Sequence, residues 1–478
     1  MQAFNPFLPS WEYIPDGEPY VFGDRVYVYG SHDRFNAPVF CMNDYVCWSA
    51  PLSDLGNWSC SGVIYHRNQD PMNRFGLRLL FAPDVAKGPD GRYYLYYAYD
   101  FLGVIGVAVC DTPDGQYTFY GHVHDADGKL LGRRRGDDFP FDPGVLVDDD
   151  GRVYLYSGFA TRVPMILTRF HRLGNSGGSV MELEQDMLTI RREPKLLFPR
   201  RGSALPGGFE GHEFFEASSI RKVDGRYVFV YSSCNNHELC WAQSDRPDGG
   251  FRFGGTLVDQ GDLYMDGRTV EKHARNYLGN THGGMAELNG RWYIFYHRQT
   301  NRHSYSRQAC AEPLERSADG GFLQAEVTSC GLNGGPLEGR GSYPARIACN
   351  LWSRDGVCRY DQPFPKKRHP YITQRGRDDD RSAVQYIANM RDGSVAGFKY
   401  FRLQDARSIS VKVAGRCAGV MQVSSREDFA TMAAELPIRA NGNECAAKSR
   451  LSLRDGVHAL YFRYQGSGAA DFISFELA

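Results

Sequence analysis

The chain has 478 residues, 42% of them apolar and 23% charged, and its 55 Lys and Arg nearly balance 56 Asp and Glu for a formal net charge of -1. That balance supplies no global field for nucleic acid or an acidic membrane, so neither is expected as a partner, and no run of about 18 apolar residues offers a bilayer span. The opening MQAFNPFLPSWEYIP lacks both the basic and the apolar segment of a secretory signal, which predicts a cytoplasmic protein.

Abundant Gly (53), with Tyr and Phe at 29 each, favours β architecture. In chain order, five segments repeat one pattern, a turn followed by an aromatic β run: GDRVYVYGSHD, DGRYYLYYAYD, DGRVYLYSGFA, DGRYVFVYSSC and NGRWYIFYHRQ. Their arginines, Arg25, Arg92, Arg152, Arg226 and Arg291, stand 67, 60, 74 and 65 residues apart. Asp-Gly and Asn-Gly ahead of β-formers are hairpin signals, so each repeat centres on a hairpin. GVAVCDTPDGQYTF and CWAQSDRPDGGFRF add a further strand, turn and strand within two of the units. A period of 60 to 74 residues holding about four strands predicts propeller blades, five in all, rather than a meandering two-sheet sandwich. The twelve Cys show no C-x-x-C spacing, and Cys110, Cys240 and Cys417 fall in apolar runs, which predicts reduced core thiols rather than disulfides or zinc ligands.

The first strand of each propeller blade lines the axis, so residues at one repeat offset converge there. Eight to ten positions before the five arginines stand Asp16, Asp84, Asp142, Glu216 and His282. Gathering carboxylates on one axis costs repulsion that a function must justify. Asp148, Asp149 and Asp150, in the hairpin turn of the third repeat, read instead as solvated acids. Crowded carboxylates between aromatic walls suit glycosidic cleavage, in which one acid stays protonated to donate to the leaving oxygen and another stays ionised to deprotonate water.

The ordered set NPFLP, IPDGEPYVFGDRVYVYGSHD, FAPDV, FDPGVLVDDDGRVYLY, FFEASSI, NTHGG and SRQACAEPL, over residues 5 to 320, resembles glycoside hydrolase family 43. The resemblance implies a five-bladed β-propeller and inverting hydrolysis of arabinofuranosides or β-xylosides. It implies Asp16 as general base, Glu216 as general acid and Asp142 as the carboxylate that tunes and orients the acid. Arg307 matches an arginine that contacts the sugar, and Phe81, Asp84, Phe215, His32 and Asp33 are taken with it as substrate-binding positions. His282 matches an axial histidine that holds a hydrated calcium ion in many relatives, or stands as a hydrogen-bonded channel histidine without metal; no cofactor is required. Two departures stand out. The base motif is usually Asp-Pro, whereas Asp16 precedes Gly17 and Glu18 precedes Pro19, so Glu18 competes for the role; and Phe81 stands where relatives commonly carry Trp.

After the fifth repeat, SCGLNGGPLEGRGSYP reads as a linker or closing loop. VAGFKYFRL, SISVKVAG, GVMQVSS and GVHALYFRYQGSGAADFISFEL then read as short strands at sandwich spacing. The expected organisation is all-β, a catalytic propeller over 1–338 and a jelly-roll-like β-sandwich over 339–478 that either binds carbohydrate or serves as a structural module. GRRRGDD and RGRDDDRS read as solvated loops. The expected activity is exo-acting release of a terminal pentose, first α-L-arabinofuranose, from oligosaccharides. β-Xylosidase, exo-β-galactanase and a non-catalytic sugar-binding propeller are the alternatives. Oligomeric state is not legible.

Overall fold

The computed structural model describes residues 2–203, 207–301, 303–359 and 368–478. The first blade is β1 (Glu18–Phe22), β2 (Arg25–Tyr29), β3 (Tyr45–Pro51) and β4 (Ser59–Tyr65). The second is β5 (Leu80–Lys87), β6 (Tyr93–Tyr99), β7 (Ile105–Cys110) and β8 (Thr118–His122), and the third β9 (Gly144–Val147), β10 (Val153–Gly158), β11 (Gly177–Leu183) and β12 (Ile190–Pro199). The fourth is β13 (Phe214–Val223), β14 (Arg226–Ser233), β15 (Glu238–Ser244) and β16 (Arg252–Asp259); the fifth has β17 (Met285–Leu288), β18 (Arg291–Gln299) and β19 (Arg307–Pro313). Every blade is an antiparallel meander in chain order, so the five repeats are five blades.

Turn chemistry explains the hairpins only in part. Val223 pairs with Arg226 and Leu288 with Arg291, leaving the two-residue turns Asp224-Gly225 and Asn289-Gly290. All four residues have positive φ, between 49° and 78°, as a type I′ turn requires. In the second and third repeats the Asp-Gly pair instead sits inside a five-residue loop, since Lys87 pairs with Tyr93 and Val147 with Val153. Asp148, read as solvated, is buried there. Its carboxylate accepts hydrogen bonds from Lys222 Nζ at 2.8 Å and from the Tyr227 hydroxyl, tying blade three to blade four.

The core lies between blades. Tyr29, Tyr45, Val85 and Leu95 fill the gap between blades one and two, and Tyr96, Val107, Val145 and Leu155 that between two and three. Tyr156, Phe198 and Phe229 join three to four, Val230, Trp241 and Ile294 four to five, and Val28, Trp48, Phe295 and Ala311 close five onto one. Each Val, Leu, Ile or Phe among them contributes about 1.5–3 kcal/mol on burial. The fifth blade has three strands, and the amino-terminal segment takes the outer place beside β19. Phe7 N bonds to Ala309 O at 3.3 Å, Asn5 Nδ2 to Ala311 O at 2.9 Å, and Ala311 N to Asn5 Oδ1 at 3.0 Å. A bridge between Gly17 and Gly283 joins the first and last inner segments at the axis.

The carboxyl-terminal strands are β20 (Leu337–Glu338), β21 (Gly341–Pro344), β22 (Asn350–Trp352), β23 (Tyr371–Arg375), β24 (Val384–Met390), β25 (Val395–Leu403), β26 (Ser408–Ser424), β27 (Ala434–Asn441), β28 (Cys445–Arg450) and β29 (Gly456–Leu477). They form one ten-stranded sheet. β26 and β29 pair from Ile409–Leu477 to Ser424–Tyr461, so the two faces of the expected sandwich are parts of a single sheet curled over one apolar core that includes Phe398, Phe462, Phe472 and Phe475. The Gly-rich stretch expected as a linker or closing loop is partly strand: β20 pairs with β25, and β21 with β29. None of the twelve cysteines forms a disulfide among the described residues, and Cys60 is exposed.

Candidate active site

Each acid at the axis is presented by an irregularity at the mouth of an inner strand. Asp16, just before β1, and Asp142, just before β9, have φ of 58° and 46°, and Ala217, beside Glu216, has 71°. A left-handed L-residue costs about 1–2 kcal/mol, strain that the surrounding structure must hold. A register shift between Phe214 and Glu216 in β13 re-aims the glutamate away from ladder pairing.

These groups meet in a cavity of about 270 Å³. Asp16, Asp142, Glu216, His282, Arg307, Phe81 and Phe215 all line it, together with Phe40, Phe101, Phe141, Phe159, Thr161, Asn236 and Asn280. Of these last seven, Phe141 had a sequence signal: it precedes Asp142 as Phe215 precedes Glu216. Phe101 and Phe159 follow the second strands of their blades at similar offsets. Asn236 Oδ1 is buried without a partner among the described residues, free to accept from a sugar hydroxyl.

Asp16 is fixed from two sides. Arg307 Nη1 donates to its Oδ1 at 2.8 Å, and its backbone N–H donates to His297 Nδ1 at 3.2 Å. His297 Nε2 in turn lies 2.8 Å from Asn280 O, a bond that needs the proton on Nε2 and leaves Nδ1 the acceptor. Burial, then the Arg307 charge, lower the His297 imidazole to about 3, so it is neutral. Burial would raise the Asp16 carboxyl, but the Arg307 charge, with the protonated His282 and hydrogen bonding, outweighs it and holds it below its ordinary value. Glu216 is pushed the other way, to about 8, by burial and then by the charge of Asp142. Asp142 accepts from Ala217 N at 3.1 Å and lies 3.4 Å from His282 Nδ1. Burial would lower His282, but Asp142, Asp16 and Glu18 together raise it to about 9.

The other expected positions lie behind the wall. Asp33, fully buried, does not line the cavity; it clamps Arg307, accepting from its Nε at 2.9 Å, its Nη2 at 3.0 Å and its backbone N at 3.0 Å. His32 pairs with Glu12 at 3.0 Å and with Asp44 O at 2.8 Å, so it serves the loop and not a ligand. Asp84, which follows a register shift in β5, does not line the cavity. Its carboxylate holds Val145 N at 2.6 Å and the Tyr20 hydroxyl at 2.6 Å, stapling blade two to its neighbours. Glu18 also lies off the cavity, accepting from Ser219 Oγ and Arg221 Nη2, both at 2.9 Å. Its Oε1 is buried without a hydrogen bond and lies 3.9 Å from His282 Nε2, so an imidazole nitrogen and an orphaned oxygen face each other there. As it stands the pair is an imidazolium beside a carboxylate, and a hydrated cation there would require His282 to give up its proton.

The Glycosyl hydrolases family 43 model matches residues 5–322. A xylosidase/arabinosidase of Thermoclostridium stercorarium is 48% identical over 478 residues, covering 100% of this chain and 99% of that protein. A family 43 enzyme of Xanthomonas citri, solved with xylose, is 26% identical with a TM-score of 0.52 over 68% of this chain and 93% of its own. An arabinoxylan arabinofuranohydrolase of Bacillus subtilis is 20% identical, TM-score 0.50, over 99% of this chain and 97% of its own, a likeness of fold that extends across the carboxyl-terminal sheet. With the model match spanning the whole propeller, the chain belongs to glycosyl hydrolase family 43 and is a glycosidase.

Proposed function

We propose that this chain is an inverting, exo-acting glycosidase that releases terminal pentose from arabinose- or xylose-containing oligosaccharides, α-L-arabinofuranose first and β-D-xylose as the alternative. The observation that carries the reading is a division of protonation within one cavity: a carboxyl held low at Asp16 and one held high at Glu216. Two carboxyls driven apart in this way take the parts of base and acid. Asp16 removes a proton from water attacking the anomeric carbon, Glu216 protonates the departing oxygen, and Asp142 keeps Glu216 protonated. Glu18, off the cavity and engaged by Arg221, is the weaker candidate for the base. Arg307 and Asn236 hold sugar hydroxyls. A space of about 270 Å³ lies just under the roughly 300 Å³ where drug-sized pockets begin, room for about one sugar ring and hence for chain-end attack.

A calcium ion on the axis would need His282 to give up its proton, and would then be held by that imidazole beside Glu18, supplying positive charge near the carboxylates. The name of the Thermoclostridium stercorarium relative supports both pentoses as substrates. The test is Glu216→Ala on nitrophenyl α-L-arabinofuranoside, nitrophenyl β-D-xyloside and the matching unactivated disaccharides. Loss of about 10²–10⁴ in kcat on the disaccharides, with a smaller loss on the nitrophenyl substrates, is the expected result, because an activated leaving group needs less protonation. Near-wild-type turnover of the disaccharides would remove Glu216 from the acid's role. Proton NMR of the first-formed sugar, showing the inverted anomer, checks the stereochemistry.

A further inference from the structure

Two joined loops, one of which runs on from the cavity wall at Thr161, leave large apolar side chains in water. Phe75 and Leu77, between β4 and β5, are 80% and 81% exposed, and Ile166 and Phe170, between β10 and β11, are 70% and 77% exposed. The loops are tied together by Arg78 Nη2 donating to Leu167 O and Arg169 Nη2 donating to Met72 O, each at 3.2 Å. An exposed apolar patch of this size on a folded protein marks a contact surface.

The same loops are cationic. Arg162, Arg169 and Arg172 are exposed, and among the described residues no carboxylate lies in ion-pair range of them or of Arg133. Arg133 donates only to the carbonyls of Leu102, Gly103 and Gly132. Burial, then the neighbouring Arg169 and Arg78 charges, hold its guanidinium below the ordinary range; Arg78 has Asp100 at 3.8 Å, whereas Arg133 and Arg169 have no such carboxylate among the described residues. The patch is continuous with the reaction cavity. Phe159 and Thr161 line the cavity and lead directly into Arg162, and Phe101, another wall, precedes the carbonyl that holds Arg133.

We propose that this rim binds an acidic sugar chain: a uronate-bearing oligosaccharide whose terminal pentose occupies the cavity, with its carboxylate on the unpaired arginines and its ring faces on Phe75 and Phe170. The proposal rests on the hydrolase reading and adds a substrate class to it. Charge complementarity selects this occupant, since a two-fold dimer through the rim would set one uncompensated positive surface against its own copy. Flat apolar contact and a salt-dependent ionic contact then act on different parts of one ligand.

The experiment compares kcat/KM for a neutral arabinose- or xylose-ended oligosaccharide with that for the same backbone carrying a glucuronate side group, at low salt and at about 0.5 M salt. Turnover of the neutral compound reports the hydrolase reading independently. The wild type is expected to prefer the acidic compound roughly fivefold to tenfold at low salt, and to lose that preference at high salt. Arg162→Gln/Arg172→Gln is expected to lose the preference at low salt, while Arg162→Lys/Arg172→Lys keeps most of it. Equal kcat/KM for the two compounds in the wild type at low salt would overturn the proposal. So would a preference undiminished in the Gln variant, or a dimer in sedimentation that Phe75→Ser/Phe170→Ser dissociates.

Discussion

At the scale of single residues, Asp142 sets the working protonation of its neighbours. Glu216 must carry a proton to act as the acid, so activity persists below its pKa and falls as pH rises through about 8. Asp16 must be ionised, and its lowered pKa places the acidic limb below the ordinary carboxylate range. Asp142→Asn removes the negative neighbour, and Glu216 then gives up its proton more easily. The alkaline limb of kcat/KM should move down by roughly one unit, read from a pH profile of the variant against the wild type. An unmoved limb would assign Glu216's pKa to burial alone. The offset of eight to ten residues before each repeat's arginine made Asp16, Asp142 and Glu216 legible because blade geometry repeats. It brought Asp84 to the inner strands as well, but not into the cavity, because that carboxylate is occupied by Val145 N and the Tyr20 hydroxyl. His297 and Asn280 were not legible, since they act through a backbone N–H and a backbone carbonyl, which leave no mark on sequence.

At the scale of elements, the carboxyl-terminal sheet reaches the cavity through the loop between β2 and β3. Asp378, in a run read from sequence as solvated, accepts from Phe35 N at 2.6 Å and from Asn43 Nδ2 at 3.2 Å. That loop carries Asp33, which clamps Arg307, and Phe40, whose ring lies 4.6 Å from the Arg307 guanidinium. The β18–β19 connection is held likewise, Asn301 N donating to Ile372 O at 2.6 Å and Thr373 Oγ1 to Asn301 Oδ1 at 3.0 Å. Asp378→Ala should therefore loosen the wall around the sugar from a distance. Activity should fall about tenfold in kcat/KM, carried chiefly by KM, while Tm drops by only a few degrees, about 1–2 kcal/mol for the lost bonds. Unchanged kinetics would confine the sheet to a passive role. Strand order within each blade was legible, because turn residues and alternating aromatics are local. Contacts such as Asp378 with Phe35 were not, because nothing in a charge run says which distant backbone it will meet.

At the scale of the whole molecule, five apolar seams shared between neighbouring blades hold the ring, and the last of them needs the first residues of the chain. Asn5 is buried and donates to Ala311 O, Glu312 Oε1 and Thr328 O at 2.9, 2.7 and 3.1 Å. Asn5→Leu removes this donor from Ala311 O and Thr328 O and the acceptor from Ala311 N, while Glu312 Oε1 keeps Thr328 N, and a loss of about 2–4 kcal/mol is expected, measured by denaturant unfolding. A variant as stable as the wild type would show that the ring does not depend on this seal. The number of blades was legible from the repeat period. That the fifth blade borrows its outer edge from the amino terminus was not, since that segment carries no strand pattern of its own.

The borrowed edge also sets an order of events during synthesis. Residues 5 to 7 are made early relative to the backbone they must meet, near 309 to 311, which follows some three hundred residues later. Until then the first blade's outer flank, with Trp48 and Val28, waits uncovered, and closure is the slowest kind of contact a chain can make. Fusion partners that restrain the amino terminus should therefore lower the yield of active enzyme more than the same partners placed at the carboxyl terminus.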